Sequence, residues 1–133
     1  MRPFIPSRVA EIIFALTMLV FGFNHIQAGE MMAGGVPIAG GVIWVYVTGA
    51  GLILAAIAII INRFKTLACY LLALMLLIFV ALIHIPSFVQ AKDQMGKMMP
   101  MISTLKDIAI AMGAILIGNN VHVRTTTTKR PTI

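Results

Sequence analysis

Val42 to Ile61 is a run of twenty residues whose only polar or hydroxyl positions are Tyr46 and Thr48. About 20 apolar residues are what an α-helix needs to cross the hydrocarbon core of a bilayer. Leu67 to Ile85 adds nineteen residues, interrupted by Tyr70 and His84. Val9 to Ile26 adds eighteen, with Glu11 at one end and Asn24 and His25 at the other. Thr104 to Gly118 is the weakest run, fifteen residues with Lys106 and Asp107 near its start. An open sheet cannot span lipid because its edge groups go unpaired, and the strong runs lack the period-two alternation of a barrel. The pattern therefore predicts an all-α integral membrane four-helix bundle with spans at about 8–26, 42–61, 67–85 and 103–118. Residues 1–118 form a single transmembrane domain in this reading, and 119–133 a polar cytoplasmic tail. Only 11% of the 133 residues are charged, against about 25% in an ordinary soluble domain.

The breaks between runs have their own chemistry. Gly29, Gly34, Gly35, Pro37, Gly40 and Gly41 predict a non-helical first loop. Asn62, Arg63 and Lys65 punctuate a short second turn, making the second and third spans antiparallel neighbours. Pro86 disfavours helix at Ile85 and is expected to end the third span. Asn119 and Asn120, just past Gly118, are expected to stop the fourth. Between these two spans, Ser87 with Gln90 fits a capping box. Phe88, Ala91, Met95 and Met98 then recur every three to four residues, predicting a short amphipathic helix on the outer membrane face. Small residues four apart (Gly51 with Ala55, Ala109 with Gly113, Ala114 with Gly118) predict close helix contacts.

Lys and Arg in short loops orient a membrane protein, their excess facing the cytoplasm. Arg2, Arg8, Arg63, Lys65, Arg124, Lys129 and Arg130 fall on one side, seven of the ten cations. Lys92, Lys97 and Lys106 fall on the other, together with Glu30, Asp93 and Asp107. Both termini are therefore expected inside. The net charge of +6 is a topology signal in this reading and not a nucleic-acid footprint. Arg2 and Arg8 ahead of an apolar run also resemble a signal peptide, but Ile26-Gln27-Ala28 is a poor cleavage site.

With that orientation, every span contributes polar side chains at the outer end: Asn24 and His25, Tyr46 and Thr48, His84, then Lys106 and Asp107. Ionisable residues inside spans are costly and usually face the bundle interior. Their convergence predicts an outward-facing polar pocket under the amphipathic lid. His25 and His84 suit metal ligation, proton carriage or hydrogen-bond donation to a quinone carbonyl. The plainer alternatives are helix-end hydrogen bonds for the histidines, dipole compensation for Asp107, and interfacial belt roles for Trp44 and Tyr46. Glu11, three residues after Arg8, reads as half of a local ion pair.

Other chemistries are excluded or weak. Cys69 is the single cysteine, so a self-contained thiol–disulfide oxidoreductase is ruled out. Met95, Met98 and Met99 share the outer side with His25 and His84, and thioethers with imidazoles suit Cu(I). No repeated Met-x-x-Met array with imidazole spacing accompanies them, and the plainer alternative is adaptable apolar packing of a lid on lipid. No phosphate-binding glycine loop, zinc spacing or hydrolase nucleophile motif is present.

Several short motifs resemble the DoxX-like family of small four-helix bacterial membrane proteins. They are Gly22-Phe23-Asn24-His25-Ile26 ending the first span, Tyr46-Val47-Thr48-Gly49 in the second, Asn62-Arg63-Phe64 after it, and His84-Ile85-Pro86 closing the third. The resemblance covers roughly residues 8 to 118. Many members carry a Glu a few residues into the second helix; positions 47–52 here contain no acid, leaving Thr48 or Asp107 to replace it. The family takes its name from a subunit linked to a quinone-coupled sulfur oxidoreductase. The resemblance thus implies a multi-pass protein of the bacterial inner membrane, acting as an accessory or quinone-binding subunit of a redox system and not catalytic alone. It would be embedded in lipid as a homo-oligomer or part of a larger membrane complex. The alternatives are a small-solute or copper binding or transport component, and a structural membrane subunit.

Overall fold

The computed structural model describes residues 4–127, with side chains to residue 120. These residues are helical throughout, without a strand. The helices are α1 (Ser7–Gln27), α2 (Gly29–Ala33), α3 (Gly41–Ile61), α4 (Lys65–Phe79), a π-helical turn (Val80–His84), α5 (Ile85–Gln90) and α6 (Gln94–Thr127). Four segments are long and apolar enough to cross a membrane: Ser7–Gln27, Gly41–Ile61, Lys65–Gln90 and Gln94–Asn120. α1 lies along α3, α4 lies along α6, and contact between α3 and α4 joins the two pairs.

The packing is inverted relative to a soluble bundle. The core is built largely of small residues, with Ala15, Ala56, Cys69, Ala111 and Ala114 fully buried. Large apolar side chains point outward instead: Leu54 is 67% and Leu116 71% exposed. In water such a surface drives association. In lipid it costs nothing, and helices are held by close backbone contact. The tightest approach joins α1 and α3. A Cβ at Gly22 would stand 2.9 Å from the Gly49 carbonyl oxygen, and one at Gly49 would stand 3.0 Å from that of Gly22. The small pairs read from sequence are partly used: Ala55, Ala114 and Gly118 are buried, whereas Ala109 is exposed and Ala111 takes the inward position.

The ends of the elements differ from several expectations. The first loop is not wholly irregular, since Gly29 opens the short helix α2. A side chain at Gly29 would collide with the Tyr46 ring, its Cβ only 2.4 Å from Cε1, so the glycine lets α2 fold down on α3. The turn between α3 and α4 places Asn62 and Phe64 in the left-handed region, at φ 56° and 54°.

The third span does not stop at Ile85. Helix continues through the π turn and Pro86 to Gln90, giving a span of 26 residues. Proline lacks an N–H and its ring crowds the carbonyl four residues earlier. The π turn immediately before it widens the backbone there, and Pro86 sits in the first turn of α5, where no donor is missed.

The expected amphipathic helix is not a separate element, because the chain breaks at residues 91–93 and divides it between α5 and α6. Asp93 decides that break by accepting from the Gly96 N–H at 2.7 Å, in the manner of an N-cap. The capping box is also absent: the Ser87 hydroxyl donates to the Ile83 carbonyl at 2.7 Å. α6 carries Pro100 within it and runs past Asn119 and Asn120, so the fourth span neither begins at 103 nor ends at 118. Both asparagine side chains bond to neighbouring helices rather than to their own backbone. Of the expected tail, the stretch to Thr127 is helical, and residues 128–133 lie outside the described residues.

Candidate functional site

At one end of the bundle a cavity of about 560 Å³ is lined by residues from all four spans. Helical spacing explains which side chains reach it. Residues three or four apart share a helix face. Phe21 and His25 on α1 therefore enter together, as do Trp44 and Thr48 on α3. Asn24, one position from His25, is exposed and does not line the cavity. Tyr46, two positions from both Trp44 and Thr48, is turned away against Gly29. On α6, Ser103, Lys106, Asp107 and Ile110 form one stripe into the cavity.

The wall is mostly apolar, with Leu52, Leu76, Phe79 and Ile83 deep among the helices and Met99 and Pro100 from the start of α6. Five of the seven polar residues singled out by the sequence therefore line one space: His25, Thr48, His84, Lys106 and Asp107. Asn24 and Tyr46 do not. Sequence reasoning missed Phe21, Trp44 and Ser103. The four-residue step from His25, Thr48 and Asp107 would have found each of them.

The polar groups are held by specific bonds. His84 Nε2 lies 2.9 Å from Asp107 Oδ2, and Lys106 Nζ lies 3.3 Å from Asp107 Oδ1. Asp107 is only 6% exposed, so the two partners satisfy a carboxylate that would otherwise be costly to bury. Lys106 also stands over the Phe21 ring, 4.9 Å from its centroid, a cation–π geometry. The His25 ring bonds through Nδ1 to the Phe21 carbonyl at 2.7 Å. Thr48 donates to the Trp44 carbonyl at 2.7 Å, and the Trp44 indole N–H donates to the Ala39 carbonyl at 3.0 Å.

For copper, Met99 lines the cavity with His25 and His84, but Met95 and Met98 do not. Among the described residues no group of three or more His, Cys, Asp or Glu side chains is placed to hold a metal.

A second polar cluster occupies the opposite end. The Arg8–Glu11 pair is present at 3.2 Å, but it belongs to a larger network. Lys65 Nζ reaches the same Glu11 oxygen at 2.8 Å, and Asn120 donates to the other at 3.1 Å. Glu11 and Lys65 are 2% and 6% exposed. Arg8 also donates to the Ile59 carbonyl at 2.7 Å and to that of Ile60. It thereby caps the negative C-terminal end of α3. This cluster ties α1, α3, α4 and α6 together, and its Glu11 and Asn120 also line a second cavity of about 630 Å³ walled by Phe14, Leu116 and Ile117. Cys69 is buried and free.

No family model, curated protein or solved structure matches the chain.

Proposed function

We propose that this protein is a DoxX-like subunit of the bacterial inner membrane that binds a quinone-type ligand in the cavity between His25, Thr48, His84 and Asp107. The observation that carries this reading is the composition of that space. An apolar chamber of about 560 Å³ holds a short arc of histidines, hydroxyls and one ion pair. Small-molecule sites have this make-up: a mostly hydrophobic wall with a few placed polar groups. A flat ring with two oxygens para to one another fits between aromatic and aliphatic walls while its oxygens meet polar side chains. An isoprenoid tail would continue along the lipid-facing surface of the helices.

The motif order read from the sequence supports the family, and the Lys and Arg distribution supports cytoplasmic termini, which open the cavity outward. In this reading the subunit serves a redox partner and does not carry the chemistry itself. The test is a titration of the detergent-purified protein with decylubiquinone and a menaquinone analogue. Micromolar binding is expected for the wild type and a loss of at least about tenfold, equivalent to about 1.4 kcal/mol, for Lys106→Met/Leu52→Phe, which removes the lysine donor and fills the apolar wall. Equal affinity of wild type and double variant would sink the assignment.

A further inference from the structure

We infer that the cavity is built to hold the reduced, hydroxyl-bearing state of such a ring, a hydroquinone, in preference to the oxidised quinone. This rests on the quinone reading above and follows from which hydrogen-bonding groups the protein has already consumed. A carbonyl oxygen only accepts, so the bond from the His25 ring to the Phe21 carbonyl requires the proton on Nδ1. A carboxylate also only accepts, so the bond to Asp107 places the His84 proton on Nε2.

In the neutral imidazoles the remaining nitrogens, Nε2 of His25 and Nδ1 of His84, are then lone-pair acceptors on side chains that line the cavity. Two of the three cavity hydroxyls behave alike, and the third, Ser103, can donate or accept and so does not discriminate. Thr48 spends its proton on the Trp44 carbonyl and Ser87 on that of Ile83, which leaves oxygen lone pairs. The Trp44 N–H is consumed by Ala39. Lys106 is a pure donor, but a hydroquinone oxygen accepts from it as a quinone oxygen does, so it does not discriminate. Two imidazole lone pairs do. They receive O–H groups and face carbonyl lone pairs unfavourably.

The expected preference is about tenfold, the scale of two neutral hydrogen bonds. Binding the reduced form tenfold tighter raises the two-electron potential of the bound couple by about 30 mV. The site would thus stabilise the product of quinone reduction, as suits a subunit that receives quinone from lipid while a partner supplies electrons.

The experiment is anaerobic calorimetry on the full-length protein in nanodiscs at about pH 8, where an ordinary imidazole is neutral. Three ligands of one shape are compared: decylubiquinone, decylubiquinol and the dimethyl ether of that quinol, which lacks both O–H donors. Tighter binding of the quinol alone, with the quinol-over-quinone ratio lowered in His25→Phe, is the expected result. Equal affinity for quinone and quinol, or an ether as tight as the quinol, overturns the inference and leaves the quinone reading standing. Binding of none of the three overturns both. The wild-type comparison decides by itself should His25→Phe fail to fold.

Discussion

At the scale of single residues, the buried charges among the described residues fall in two places and are paired in both. Glu11 and Lys65 are nearly inaccessible and 2.8 Å apart. Removing one partner of a buried pair leaves the other uncompensated, at a cost of about 3–5 kcal/mol. Glu11→Ala is therefore expected to lower the melting temperature in detergent strongly. Glu11→Ala/Lys65→Met should recover most of that loss, because the orphaned ammonium is gone. A double variant no more stable than Glu11→Ala would show that Lys65 is solvated by other means. Asp107→Ala is expected to release His84 and Lys106 together, weakening ligand binding more than Lys106→Met does in the same titration. The residues themselves were legible. The local Arg8–Glu11 pair was legible too, but the distant partners were not, since Glu11 meets Asn120 across 109 positions of sequence.

At the scale of elements, helix identity came from run length, and helix contact came from glycine. Gly22 and Gly49 bring the α1 and α3 backbones together, and Gly49 also sits against the His25 Cβ. Gly49→Val should open that crossing at about 1–3 kcal/mol, the usual cost of overpacking, and displace His25 with it. Thermal unfolding and the ligand titration should both register the change, whereas Gly34→Ala, where a Cβ meets nothing nearer than 3.8 Å, should alter neither. Element boundaries were the least legible part of the fold. Pro86, Asn119 and Ser87 were read by local propensity as stops and caps, and the structure departs from each. A π turn absorbed the proline, the Tyr70 hydroxyl took up Asn119, and Ser87 bonded back to Ile83.

At the scale of the whole molecule, the sheath of exposed leucines, isoleucines and valines is consistent with a lipid bilayer around the bundle. The cation distribution gives an expectation for which end faces which compartment. Cysteine scanning in intact cells checks it. A cysteine at Lys92 is expected to react with a membrane-impermeant maleimide, and one at Arg63 only after permeabilisation. The reverse pattern would invert the bundle and turn the His84 cavity toward the cytoplasm. The native Cys69 is buried and should contribute little background.

The sequence by itself determined that the chain is helical, that it has four membrane-length segments, and that polar residues gather toward one end of each. These properties depend on run length and on position along a run, which are local quantities. Only the tertiary structure decided which of those polar residues share a space. Asn24 and His25 are neighbours in sequence but lie about 100° apart around a helix axis, and only His25 enters the cavity. The azimuth of each helix is set by the Gly22–Gly49 crossing, by the π turn ahead of Pro86 and by the buried Glu11 network. The crossing and the Glu11 network are contacts between segments distant in the chain, and helical period alone leaves the rotation they set undetermined.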